Sequence, residues 1–373
     1  MKMTQGAESP AGNGEQYQSD AVGLRAGTAI SAMDKEEIIS FEALYESMLK
    51  CKAGVLWKTS TASFYLNGIE QVLKLEEELK SGTYQARPPR AFKIRHPKER
   101  DIISIAFRDR VYQRSLNDNA IYPELSKSFI YDNMACQKGK GTDRARGRLE
   151  CFMQKSFRKH GLNFYVLQCD IKGYYPNMRH DVAKAVFAAA LDPEVYEMAS
   201  RVLDGQYSGD VGFNPGSQMV QICGISVLNK LDHYIKERLR VKYYIRYMDD
   251  LILIHESPEF LEHCKAEIKD HLAGLGMSFN EKKTKIYPIK DGIMFLGFKF
   301  RITETGKIYK QIDPKNVKAE RKRLARMAAL VKKGERTREK ADACYNSWKA
   351  HAEKGNSYRL LKRMDEYYNS LWR

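Results

Sequence analysis

The chain has 373 residues, 43% of them hydrophobic, enough to bury a sizeable core in about two or three subdomains and too many for a peptide-like module. Its 63 lysines and arginines outnumber 47 aspartates and glutamates, and a formal charge of +16 attracts polyanions, nucleic acid foremost, without separating RNA from DNA. Seven scattered cysteines lack any C-x-x-C pair or zinc-spaced histidine, and no apolar run approaches the ~20 residues of a membrane span, so a reduced, soluble, cytoplasmic protein without structural zinc, disulfides or an export signal is expected.

Residues 1–35 are rich in Gly, Ser, Gln and Ala and carry no hydrophobic period, which predicts a flexible tail. From Asp34, Phe41, Leu44, Tyr45 and Met48, then Phe64, Leu66, Ile69, Val72, Leu73 and Leu75 recur at helical spacing, predicting two helices that end near Ser81 and Gly82. Residues 92–105 read as a hairpin around Pro97. Its alternation would put Lys93, Arg95 and Arg100 on one face, aimed at phosphates or simply solvated at a charged edge.

Another helix opens at Phe107, and a loop over residues 135–142 bears Lys138, Gly139, Lys140 and Gly141 before a helix that begins near Asp143. That loop lacks the G-x-x-x-x-G-K-[ST] spacing of a triphosphate-binding loop, although its N–H groups suit a nucleic-acid phosphate. Residues 164–169 form a hydrophobic strand ending on Asp170, with Tyr174 and Tyr175 behind it, and a single amphipathic helix is expected from 181 to about 203. Asn214, Pro215 and Gly216 turn the chain into a helix striped by Ile222, Ile225, Leu228, Leu231, Ile235 and Leu239.

Residues 243–255 are two β-prone runs meeting at Asp249 and Asp250, which reads as a hairpin with two carboxylates at its tip. Two such anions flanked by hydrophobic strands need water or a cation, so a solvated turn and a metal site are both open until a third carboxylate is found, and Asp170 supplies one. A helix over 260–275, the segment 277–287 and a strand pair around 294–300 follow. The chain from 313 to 373 is helical and strongly basic, suited either to a solvated face or to a duplex backbone.

A basic hairpin, a strand ending in Asp170, the helix start at Gly216 to Gln221, the Tyr247-Met248-Asp249-Asp250 hairpin, Lys283 and Phe295-Leu296-Gly297-Phe298 occur in that order. In this the chain resembles a bacterial, group II intron-like reverse transcriptase over roughly residues 40–373. The resemblance implies an α+β right-hand polymerase with fingers at 36–160, a palm with an antiparallel sheet at 161–300 and a helical basic thumb at 301–373. It implies RNA-directed DNA synthesis in which two Mg²⁺ ions, with Mn²⁺ as a substitute, assist attack of a 3′-hydroxyl on a dNTP.

Residue by residue, the resemblance makes Asp170, Asp249 and Asp250 the catalytic carboxylates and adds Ile171 to the metal set, with Asp250 the less direct ligand. Arg95, Lys98 and Arg100 correspond to triphosphate-gripping residues, and Gly216 and Gln221 to the helix start that packs on nucleotide and template. Tyr175 matches the aromatic gate against a ribose 2′-hydroxyl, or is a core aromatic; Lys283 matches a proton donor to pyrophosphate, or is a surface lysine. The implied partners are an RNA template such as a cognate non-coding RNA, the DNA product, dNTPs and an accessory protein, with no membrane and the oligomeric state left open.

Subfamily signatures diverge. Group II intron proteins carry Pro-Gln-Gly where this chain has Asn214-Pro215-Gly216, and they continue into maturase and endonuclease regions, so a mobile intron protein is not expected. The Asn-Ala-x-x-His and Val-Thr-Gly blocks of retron enzymes do not occur. Residues 135–142 resemble diversity-generating retroelement enzymes, whose helix start ends in Ser-Gln where this chain has Val220-Gln221. The reading that follows is an antiphage-defence reverse transcriptase, with an error-prone diversity-generating enzyme and a non-catalytic RNA-binding scaffold as alternatives.

Overall fold

The computed structural model describes residues 34–94, 100–207, 209–213 and 216–373, so nearly all of the expected tail lies outside the described residues. The first helices are α1 (Lys35–Ile38), α2 (Phe41–Lys52), α3 (Thr59–Leu66) and α4 (Gly68–Lys80). Asp34 and Glu37 cap α1 reciprocally, and Ser40 caps α2. Two helices were expected between 41 and 82, and three form there because Asn67 and Gly68 interrupt the period. Gly68 also lets the chain approach α2, since a Cβ there would stand 3.0 Å from the Met48 sulfur.

Next comes a two-stranded ribbon, β1 (Arg90–Ile94) and β2 (Arg100–Ser104). Its register pairs Lys93 with Asp101 and Ile94 with Arg100, so positions 93 and 100 fall on opposite faces. The expected common face of Lys93, Arg95 and Arg100 is therefore not formed. Helix α5 (Phe107–Leu116) runs through a π turn at Asn117–Ile121 into α6 (Tyr122–Ser126), and α7 (Thr142–His160) follows the glycine- and lysine-bearing loop.

The centre of the molecule is an antiparallel sheet of order β4-β5-β3-β6, made by β3 (Tyr165–Asp170), β4 (Tyr243–Tyr247), β5 (Asp250–His255) and β6 (Lys285–Pro288). Between β3 and β4 lie α8 (His180–Ala188), α9 (Pro193–Gln206), α10 (Gln218–Val227), α11 (Asn229–His233) and a π turn at Tyr234–Arg238; α12 (Pro258–Gly274) follows β5. The single helix expected over 181–203 is two, because Asp192 caps a new helix through the Glu194 N–H and Pro193 occupies its first turn. The continuous helix expected from 222 to 239 is likewise divided at Leu228.

Strand β5 explains why both sides of the sheet are covered. Leu251 and Leu253 join Leu167, Cys169 and Tyr244 in a core with α10 and α12, whereas Ile252 and Ile254 join Val166 and Ile245 in a second core with α7. That second core continues into a sheet of β7 (Ile293–Phe295), β8 (Phe298–Ile302) and β9 (Ile308–Ile312), which runs across residue 300. Leu296 and Gly297, at φ 45° and 87°, form its two-residue turn. Helices α13 (Pro314–Lys332), α14 (Arg338–Glu353) and α15 (Tyr358–Ser370) close on Leu324, Tyr345, Met364 and Tyr368. No helix among the described residues is long and apolar enough to cross a membrane.

Candidate active site

Pairing of β3 with β5 sets Asp170 directly opposite Asp250, extending the row of Val166, Gln168, Ile254 and Ile252 on one face to the sheet's end. Tyr247 pairs with Asp250 on the other side, leaving Met248 and Asp249 as a two-residue turn. The expected tip with two carboxylates is thus one turn residue and the first residue of β5. Met248 adopts φ 57°, a left-handed conformation unusual for a non-glycine side chain.

The three carboxylates stand in unequal environments. Lys283 donates to Asp170 Oδ1 at 2.7 Å, and the Asp170 main chain is fixed by the Asn280 N–H at 2.7 Å and by Thr284 Oγ1 at 3.3 Å. That hydrogen bond holds the Lys283 ammonium above its ordinary range. Burial, then the charges of Asp249 and Asp170, push the Asp250 carboxyl up to about 6. Anions that raise one another's cost and draw an ammonium onto one member suit a cation, and hard carboxylate oxygens suit Mg²⁺.

Among the described residues no three acidic, histidine or cysteine side chains converge into a closed metal cage. This is compatible with Mg²⁺, which commonly takes one or two protein carboxylates and completes its shell with water and substrate phosphate. The Ile171 side chain is 2% exposed, so a contribution from that residue comes through its carbonyl.

Beside α10, the Tyr175 ring meets Tyr174 edge-on at 5.4 Å and lies against Gly224. A Cβ at Gly224 would stand 2.8 Å from Tyr175 Oη, so only glycine fits there without moving the ring. Tyr175 Oη is buried without a hydrogen-bond partner, and burial raises its phenol far above the usual range. Tyr174 donates to the Gly224 carbonyl. Gln221, one turn earlier in α10, accepts from Cys136 Sγ at 3.7 Å, and that sulfur lies 3.8 Å from Met248 Sδ.

The 135–142 loop therefore reaches the Met248–Asp249 turn through Cys136, which the sequence reading did not single out. Its Lys140 is turned inward, donating to the carbonyls of Ile130, Tyr131 and Asn133. Gly216 is exposed just before Ser217, which caps α10 through the Val220 N–H. Arg95 and Lys98 lie outside the described residues, and Arg100 is described only as a backbone position of β2. The structure brings together Asp170, Asp249, Asp250 and Lys283, and separately Tyr175, Gln221 and Cys136 around α10.

Sequence reading also missed Arg246 and Asp232, both 0% exposed, which form a bidentate pair behind the turn. The one signal was a charge among hydrophobic residues in β4, and its partner lies 14 positions away on a helix.

An antiparallel sheet with paired acids at one end, framed by helices and followed by a helical bundle, is the α+β architecture of the right-hand polymerase fold. Residues 96–300 match the family described as reverse transcriptase (RNA-dependent DNA polymerase), and the chain belongs to that family. No curated protein sequence matches it.

Three solved structures of two telomerases are similar at low identity. Apo telomerase from Candida tropicalis shares 15% identity at a TM-score of 0.44, covering 61% of this chain and 49% of that one. The same enzyme truncated from its C-terminal domain gives 14% and 0.46, covering 65% and 60%. Telomerase from Candida albicans in complex with a fragment of telomeric RNA gives 12% and 0.48, covering 63% and 46%. The chain thus spans about half to three-fifths of these three structures.

Proposed function

We propose that the protein is an RNA-directed DNA polymerase that adds dNTPs to a 3′-hydroxyl. The observation that carries this reading is the β3–β5 register, which sets Asp170 against Asp250 beside Asp249 with a cation already on Asp170. Asp170, Asp249 and Asp250, with the Ile171 carbonyl, would hold Mg²⁺, or Mn²⁺ in its place. When bound, a pair of such ions assists the attacking hydroxyl and neutralises the leaving pyrophosphate. Lys283, which donates to Asp170, would give a proton to pyrophosphate.

The test is synthesis: purified protein, Mg²⁺, labelled dNTPs and the RNA that co-purifies with it, or a primed RNA template, should yield alkali-resistant DNA. Failure to extend any primed RNA or DNA, in Mg²⁺ or Mn²⁺, would leave the RNA-binding scaffold as the better description.

In this reading Tyr175 gates the sugar and Gly224 sets the gate. Gly224→Ala is expected to drive the Tyr175 ring toward the nucleotide and to lower dNTP incorporation by about tenfold, with a larger loss for rNTPs, as a misplaced positioning contact does. Single-nucleotide kinetics with each substrate measures it, and unchanged constants for both would remove Tyr175 from the gate.

For the basic C-terminal helices we propose contact with the template–primer backbone, residues 36–160, 161–300 and 301–373 acting as fingers, palm and thumb. A groove of about 1230 Å³ between β9, α13 and α15 is lined by Lys318, Arg321, Lys322, Arg359 and Arg363 with Tyr309, Tyr358 and Tyr367, and no described acidic side chain lines it. Lys318→Glu with Lys322→Glu should weaken binding of an RNA–DNA duplex and reduce the slope of log affinity against log salt by about 2. An unchanged slope in a titration by fluorescence anisotropy would place the duplex elsewhere.

For the biological setting we infer antiphage defence in the cytoplasm, with a cognate non-coding RNA as template and an accessory protein. Val220-Gln221, where diversity-generating enzymes have Ser-Gln, supports it. The gene should protect a bacterial host from phage plating, and protection should vanish with the Asp249 and Asp250 carboxylates.

A further inference from the structure

Arg246 pairs with Leu251 across β4 and β5, and so points into the first core, away from the face that carries Asp170 and Asp250. A guanidinium at 0% exposure is costly unless every donor is met. Here Nε and Nη2 bind the Asp232 carboxylate at 2.7 and 2.5 Å, and Tyr244 Oη donates to the same carboxylate at 2.6 Å. Two further hydrogen bonds go to main-chain carbonyls. Nη1 reaches Met248 O at 3.1 Å and Nη2 reaches Ile225 O at 2.8 Å.

Those carbonyls lie at the two halves of the site. Met248 O belongs to the peptide that leads into Asp249, in a turn whose Met248 sits at φ 57°. Ile225 follows Gly224 in α10, the helix that carries Gln221 and backs the Tyr175 ring. A strained backbone persists only where its surroundings hold it, and Arg246 is a buried side chain that binds this one directly. Its planar fork, oriented bidentately by Asp232, fixes the catalytic turn and the nucleotide-side helix to a single rigid group.

We infer that Arg246 is a positioning residue for nucleotidyl transfer, holding the Met248–Asp249 peptide at a set distance from α10 through its pair with Asp232. This rests on the polymerase reading above. Buried ion pairs that serve only the fold are commonly replaceable by apolar residues of similar volume. An apolar pair at 246 and 232 would fill the space but could not hold Met248 O.

The experiment therefore uses Arg246→Met with Asp232→Leu, and separately Arg246→Lys, which keeps the charge beside Asp232 but lacks the fork. Thermal unfolding, RNA binding, and single-turnover rate and dNTP affinity are measured for each. The expected result is cooperative unfolding and RNA binding close to wild type, a maximal rate lower by about 10²-fold, and dNTP affinity within about threefold. A folded variant of either kind that adds dNTPs at the wild-type rate overturns the inference. So does a variant whose rate, dNTP affinity and RNA binding all fall together, which a merely structural role predicts. Should the double variant not fold, the lysine variant decides alone. An inactive wild type would instead sink the polymerase reading, and the positioning role with it.

Discussion

Replacing Asp249 and Asp250 together by alanine is expected to lower dNTP incorporation by at least about 10³-fold while leaving RNA binding unchanged. Asp170 alone would remain, and its Oδ1 is engaged by Lys283 at 2.7 Å, so little negative charge would be left to hold a divalent cation. A companion variant separates chemistry from folding. In chelator, Asp250→Asn should stabilise the protein by about 1–2 kcal/mol, because Asp250 is buried and faces the like charges of Asp249 and Asp170. The same change should reduce activity in Mg²⁺. Stability and rate moving in opposite directions is the signature of a site strained for function. Thermal melts with EDTA and extension assays with Mg²⁺ measure the two; full activity in the double alanine variant would remove these acids from the reaction.

Much of this arrangement was legible because the relevant signals are local. A hydrophobic run that stops on Asp170, and two runs that meet at Asp249 and Asp250, state strand and turn within a few residues. Their joining into one site is tertiary, yet the alternation of β3 and β5 allows few registers that bury both rows of apolar residues, and the observed one pairs the acids. Where local breakers compete with a helical period, the period misleads. Asn67-Gly68 and Asp192-Pro193 each sit inside a stretch with good apolar spacing, and each starts a new helix.

Other features were hidden for a different reason. Whether positions 93 and 100 share a face depends on how many residues the ribbon's turn contains, which the alternation of either strand does not reveal. Cys136 joins Gln221 and Met248 only through the fold, across 85 and 112 positions of sequence. Arg246 reads as an outward polar residue of an alternating strand. It is the reverse, because β5 is hydrophobic at four successive positions and the sheet is covered on both sides, so β4 has no solvent face at that position.

That burial leads to the largest expected change in stability. Asp232→Ala should cost about 3–5 kcal/mol, the range for removing one partner of a buried ion pair. The Asp232 carboxylate accepts from Arg246 Nε, Arg246 Nη2 and Tyr244 Oη, so its loss leaves a buried guanidinium without its counter-ion and a buried phenol without an acceptor. The neighbouring side chains of Leu251, Leu253 and Ile225 are buried hydrocarbon and offer no replacement. A domain is commonly stable by only about 5–15 kcal/mol, so the variant should melt markedly lower and accumulate less folded protein. The control is Lys184→Ala, which breaks an exposed pair with Asp204 at 2.6 Å and should change stability by no more than about 0.5 kcal/mol. Denaturant midpoints for both, at unchanged slope, give the comparison. A loss below about 1 kcal/mol for Asp232→Ala would mean that water reaches Arg246, and a guanidinium so hydrated could not hold the Met248–Asp249 turn rigidly.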